Sequence, residues 1–362
     1  MVATRKSSKR AKRQRHDPLS GLFLMRYVEA YCEWLRVKSY SRVTAVGSRT
    51  ALRIFVAWAH ERGITDPREV TKPILERYQR HLYYYRKADG EPLKLGSQIT
   101  MLRVVRRFFK WLTRENHILY NPASELDVPR QPHRLPRHLL SIAEVEAILN
   151  ATDTETIQGL RDRALLELLY STGLRRMEAA NLSCYDVDVI ERLVLVREGK
   201  GRRDRVVPLG ERAVVWLEKY LLEARPQFAP LDSEALFVND CGTAASGGFV
   251  AGRVRRYIEA AGINKPGAAH LLRHACATHM LEGGADIRFI QALLGHATMK
   301  TTEIYTHVSI EKLKAVHAAA HPAKLTHARS DESKEGKGEY QPTQEEAKQA
   351  LLDALVSEDE EA

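Results

Sequence analysis

No run of eighteen or more apolar residues occurs in the 362-residue sequence, so no segment is expected to cross a membrane as a helix. No apolar stretch follows the basic N-terminus, which argues against a secretory signal. Cysteine is scarce. Cys32, Cys184, Cys241 and Cys276 are scattered without CxxC spacing, which argues against a disulfide framework or a zinc knuckle and fits a reducing, cytoplasmic setting. Acid is missing from residues 1–16, which hold seven Lys/Arg, whereas residues 331–362 hold eleven acids against three lysines. The chain's formal net charge is +10; with +7 on the N-terminal arm and −8 on the tail, +11 falls on the residues between. A body that basic points to a polyanionic partner, without indicating any preferred sequence of that partner.

The length predicts two domains of ordinary size plus tails, and a hydrophobic content of 44% is enough to bury two cores. Residues 1–16 read as a disordered basic arm, serving either solubility or phosphate contact. From Pro18 to about Leu112 the apolar spacing is helical, within a first domain placed at residues 17–120. Leu22, Leu24, Tyr27, Tyr31, Trp34 and Leu35 fit a helical face loosely. Leu52, Phe55, Val56 and Ala59 fit a second helix that stops near Gly63, and Pro73–Tyr85 a third with its proline in the first turn. Ile99–Leu112 predicts a fourth helix, with Arg103, Arg106, Arg107 and Lys110 off its apolar face, a solvated surface or a phosphate contact.

Residues 121–139 hold Pro122, Pro129, Pro132 and Pro136 together with Arg130, Arg134 and Arg137, and read as a basic interdomain linker. A second domain follows over residues 140–326. Ser141 and Glu144 form a capping-box pattern at the head of a helix through Leu149. A long helix is predicted over Asp162–Ser171, ended by Gly173. Leu193–Val196 and Arg205–Pro208 read as two short strands joined by a turn at Gly199-Lys200-Gly201. The remainder reads as helical to about Leu325, apart from a loop near Gly242–Gly248. Residues 327–362 read as an acidic, largely disordered tail, with a short helix at Glu345–Val356. The fold class is therefore mainly α with a small β-hairpin or sheet.

Several side chains suit phosphodiester chemistry. Guanidinium forks match phosphate oxygens and stay charged at any relevant pH. Arg175 follows a helix end, with Glu178 available as an ordinary ion-pair partner. Arg273 lies three residues after His270, on the same helical face. Tyr305 precedes His307 and is flanked by Thr301, Thr302 and Thr306. A phenol, with a pKa of about 10, attacks phosphorus only with positive charge and a proton acceptor beside it. His270, His296, Arg175 and Arg273 could supply both. Lys200, at the hairpin tip, is either solvated or placed to give a proton to a departing oxygen. His270, His274 and His279 fall at intervals of four and five, but no glutamate completes an HExxH pattern and no cysteine pair is near, so no metal is assigned. His279 reads as structural, and His274 as structural or supporting.

At these residues the chain resembles the tyrosine recombinases, the phage-integrase family, nearest to the bacterial Xer subgroup. The likeness runs from about Leu19 to Pro322 and is strongest from Ser141 onward. Its most specific blocks are His270-Leu-Leu-Arg-His-Ala-Cys-Ala-Thr-His, Ile290-Gln-Ala-Leu-Leu-Gly-His-Ala and Thr301-Thr-Glu-Ile-Tyr-Thr-His-Val. The resemblance implies that Tyr305 is the nucleophile and forms a 3′-phosphotyrosyl link. It implies that Arg175 and Arg273 clamp the scissile phosphate, Lys200 is the general acid, His270 handles the phenolic proton and His296 bonds the phosphate. It implies a helical core-binding domain (17–120), a catalytic domain of mixed α+β type (140–326), and a reaction without cofactor or metal. The implied partner is duplex DNA with inverted half-sites. Four protomers would act on it, all alike or mixed with a paralogous recombinase, and no membrane is involved. Ser309–Pro322 resembles the C-terminal helix that the family exchanges between neighbours. The implied function is site-specific recombination, in chromosome or plasmid dimer resolution or in integration and excision of a mobile element. A non-catalytic DNA-binding protein and a type IB topoisomerase are the alternatives. Arg176, Met177 and the loop at Asp240–Gly248 depart from the family pattern.

Overall fold

The computed structural model describes residues 18–130, 139–197, 204–230, 232–295 and 310–323. The expected basic arm, the hairpin tip with Lys200, the segment with His296 and Tyr305, and the acidic tail with its Glu345–Val356 helix lie outside the described residues. The chain divides into two compact units, residues 1–132 and 133–362.

The first unit is built from α1 (Phe23–Val37), α2 (Arg42–His60), α3 (Lys72–Tyr84) and α4 (Leu95–Arg114). Ser41 caps α2 by accepting the Thr44 backbone N–H at 3.1 Å. The α1 stripe runs through Leu24, Met25, Val28, Tyr31, Cys32 and Leu35, a cleaner face than the sequence suggested. It packs with Phe55, Tyr78, Phe108 and Phe109 in one core. On α4 the opposite face leaves Arg103, Arg106, Arg107 and Lys110 exposed. The stretch expected to begin the linker starts inside this unit, because Ala123 and Leu126 are buried in its core.

The second unit contains α5 (Ile142–Asn150), α6 (Ile157–Thr172), α7 (Arg176–Ala180), α8 (Glu211–Lys219), a π turn (Tyr220–Ala224), α9 (Arg225–Phe228), α10 (Gly247–Ala260), α11 (Ala269–Glu282), α12 (Ile287–Leu294) and α13 (Ile310–Ala320). Ser141 and Glu144 make the expected reciprocal cap on α5, at 3.2 and 2.7 Å. The sheet has three antiparallel strands rather than two: β1 (Val187–Asp188), β2 (Leu193–Val196) and β3 (Arg205–Pro208), in the order β1-β2-β3. Leu193 pairs with Pro208 and Val196 with Arg205. α6 is longer than expected and is buried on every side from Gly159 to Thr172. Charged side chains go inside with it. Arg161 bonds Asp162 and Asp240, and Glu167 accepts from Arg163 and Arg212.

Candidate active site

The site is organised by a glycine elbow. α6 ends at Gly173, whose φ is +61°, and a Cβ there would lie 2.7 Å from Leu294. A side chain would be strained by the positive φ and would have to displace the Leu294 methyl, so the backbone conformation is what favours glycine here. Leu174, fully buried, pins the turn, and Arg175 then stands at the head of α7.

Arg175 is held by Glu178, one turn further on. Its Nη1 donates to Oε1 at 2.8 Å, and its backbone N–H donates to Oε2 at 2.9 Å. The ion pair with Glu178 that the spacing allows is therefore formed, and the Arg175 side chain keeps 20% exposure. Glu178 also takes a two-pronged contact from Arg205 of β3, at 2.9 and 2.7 Å. Burial alone would raise the Glu178 carboxyl; the hydrogen bonds and charge of Arg205, with the charge of Arg175, overcome this and bring it down to about 2. The carboxylate is thus ionised at any working pH.

Arg273 reaches the same elbow from α11. Its Nη1 donates to the Gly173 carbonyl at 2.6 Å and its Nη2 to the Leu294 carbonyl at 2.9 Å. With 4% exposure, it ties the end of α6 to the end of α12. His270 lies one turn before Arg273 and is exposed, its ring edge-on to His274 at 6.1 Å between centroids. The expected structural role of His279 is visible. Its Nε2 meets the Leu140 carbonyl and its Nδ1 the Tyr170 hydroxyl, both at 2.9 Å. Cys276, also on α11, has its thiol pushed up to about 12 by burial, against the charge of Arg273. It is a packing residue.

Arg175, His270 and Arg273 are thus placed by two elements that meet at Gly173, while Lys200, His296 and Tyr305 are not among the described residues. Gly295, the residue before His296, ends α12 with φ +69° against the stem of Arg205. In the sequence Arg205 shows only as a residue of the second predicted strand. Its signal was present: it alternates with Val207 on the buried face of β3, where a charge needs a partner. A second unanticipated set lies on and after α13. His317 Nε2 donates to the Ser171 carbonyl at 2.7 Å and His321 Nε2 to the Tyr170 carbonyl at 2.9 Å, seating α13 on the end of its own α6. Among the described residues, no three His, Cys, Asp or Glu side chains gather where a metal ion could be held.

Residues 139–312 match the phage integrase family. The chain is 62% identical over 309 residues to tyrosine recombinase XerC 2 of Ralstonia nicotianae, covering 85% of this chain and 89% of that protein. It is 38% identical over 290 residues to tyrosine recombinase XerD of Pseudomonas putida, covering 80% and 94%. In fold it is similar to the XerH site-specific recombinase bound to palindromic difH substrate, with a TM-score of 0.59 at 22% identity over 80% of this chain and 82% of that one. A lambda integrase dimer bound to a COC′ core site gives 0.56 at 18% identity, over 85% and 99%. A guanidinium pair gathered on one elbow and relatives of this closeness lead to one conclusion: the chain belongs to the phage integrase family, the tyrosine recombinases.

Proposed function

We propose that this protein cuts and rejoins duplex DNA at specific sites through a tyrosyl intermediate. The observation that carries the reading is the convergence of Arg175 and Arg273 on the Gly173 elbow, with His270 one turn away on α11. Two fixed guanidinium groups suit the charge that builds on a pentavalent phosphorus. In the proposed step the Tyr305 oxygen bonds to the scissile phosphorus and its proton passes to His270. The bond from phosphorus to the 5′-oxygen breaks, and that oxygen takes a proton from Lys200. His296 bonds the phosphate. The product is a 3′-phosphotyrosyl link and a free 5′-hydroxyl. A 5′-hydroxyl from another strand reverses the step. One ester replaces another, so the reaction consumes no nucleotide.

The two units divide this work. The helical unit, with the exposed cations of α4, binds the duplex beside the cut, and the second unit carries the chemistry. Inverted half-sites would be occupied by four protomers, alike or mixed with a paralogue, in the cytoplasm. Such a reaction serves chromosome or plasmid dimer resolution or the integration and excision of a mobile element. No helix among the described residues is long and apolar enough to cross a membrane.

The test is selection of covalent protein–DNA adducts from a randomised, nicked duplex library. The wild type is expected to enrich a half-site. Tyr305→Phe is expected to bind it and form no adduct; an adduct from that variant would remove Tyr305 from the role.

A further inference from the structure

Arg205 is 8% exposed, in a strand whose inward neighbour is Val207. A buried guanidinium is costly unless each of its edges is matched, and a buried ion pair is often no more stabilising than apolar residues of the same volume. Stability alone is a poor reason for an arginine here. What it touches suggests another. Nη1 and Nη2 hold the two oxygens of Glu178, and Nε donates to the Leu293 carbonyl at 3.1 Å. Through Glu178 it fixes the direction of Arg175. Through Leu293 it fixes the turn whose next carbonyl, Leu294, is taken by Arg273. Gly295 closes on its stem: a Cβ there would stand 3.0 Å from Cδ and 3.1 Å from Nε.

Charge adds to geometry. Glu178 facing Arg175 alone would neutralise it and draw it toward the protein. With Arg205 sharing the carboxylate, Arg175, Glu178 and Arg205 together carry one net positive charge, of the sign a phosphate requires.

We propose that Arg205 is a positioning residue of this site, one that keeps Arg175 aimed and charged and holds the Leu293–Gly295 turn in register before His296. The inference rests on the functional reading above and deepens it. Arg205 need not touch DNA, so its loss should spare binding.

The experiment uses the half-site selected by the wild type, in single-turnover adduct formation. Four proteins are compared: wild type, Arg175→Ala, Arg205→Lys, and Arg205→Met combined with Glu178→Gln, a neutral pair that keeps the volume and removes the buried charge. Misplacing a reacting group by about an ångström costs on the order of a hundredfold in rate. The neutral pair should therefore lose about a hundredfold and Arg205→Lys about tenfold, with duplex affinity within about threefold of wild type. A second substrate separates aim from folding. It carries a methylphosphonate at the scissile position, which removes the charge that Arg175 meets. On it the defect of the neutral pair should shrink to about tenfold or less, as it should for Arg175→Ala. Equal defects on both substrates, or rates within about threefold of wild type on the phosphate, overturn the proposal and leave the functional reading intact. If the wild type forms no adduct, the functional reading fails and this inference fails with it.

Discussion

The two units differ in what they bury. Among the described residues of the first, Ser48 and Gln98 are the buried polar side chains, and the core is aliphatic and aromatic. The second buries Arg161, Asp162, Arg163, Glu167, Glu178, Arg205 and Arg273, with His274, His279, His317 and His321. One unit is held by volume. The other is held by volume and by internal ions that must meet in register. Volume forgives exchange of one apolar side chain for another, while a buried ion does not forgive loss of its partner. Part of that directional constraint, in Glu178, Arg205 and Arg273, lies at the elbow that carries the candidate phosphate-binding groups, and the rest runs along α6.

The comparison can be broken most directly at Glu167, which accepts from Arg163 at 3.0 Å and Arg212 at 2.9 Å. Glu167→Ala should destabilise the second unit by about 3–5 kcal/mol, read from urea unfolding, because the buried Arg163 loses its carboxylate partner and Arg212 is left with Glu146 alone. A volume-preserving change in the first unit, Leu102→Met, should cost less than about 1.5 kcal/mol. Similar costs would erase the distinction. Next in size, Arg175→Ala and Arg273→Ala should each slow adduct formation by about 10²–10³-fold while duplex binding stays nearly unchanged. Parallel losses of binding and cleavage would remove the clamp role.

A third test uses acid. His317 and His321 stack at 4.9 Å between centroids, both 2% exposed. Burial lowers the pKa of His317 against its bond to Ser171; burial, then the neighbouring His317, and further the charges of Arg212 and His279, hold His321 well below the usual value. Both groups bind protons more readily when released. The seating of α13 is thus complete above the ordinary histidine value of 6.5 and weakens as pH falls below it. Hydrogen-exchange protection factors over residues 313–323, corrected for the intrinsic slowing of amide exchange in acid, should fall between about pH 7.5 and 5.5, with those of α4 of the first unit unchanged. Protection factors independent of pH in both places would contradict this. The smallest expected difference is at the caps. Ser41→Ala and Ser141→Ala should each cost about 1 kcal/mol, because the two units use the same device. A gap of several kcal/mol between them would mean that capping, too, differs between the units.

The same contrast explains what could be read in advance. In the first unit α2, α3 and α4 follow from apolar spacing, because one face of each is wet. The apolar run Leu165, Leu166, Leu168 and Leu169 shows α6 only from Asp162, whereas the helix begins at Ile157 and Arg161, Asp162 and Arg163 within it are 0%, 1% and 8% exposed. A helix buried all round has no amphipathic period to read. β1, at two residues, is too short to show alternation. Arg175, His270 and Arg273 stand out in the sequence as phosphate-suited side chains, and the fold sets Arg175 just past the Gly173 elbow and Arg273 on its carbonyl. Arg205 and the α13 histidines were not, because their partners are a side chain and main-chain carbonyls contributed by distant parts of the chain, which no local pattern encodes.

The histidine seat of the C-terminal helix has one more implication. A helix normally surrenders its final carbonyls to water. In α6 two of them, on Tyr170 and Ser171, are spoken for by imidazoles spaced one turn apart, immediately ahead of the elbow that launches Arg175. Lifting the helix away would take both donors from the end of α6 and so loosen the turn on which Arg175 stands.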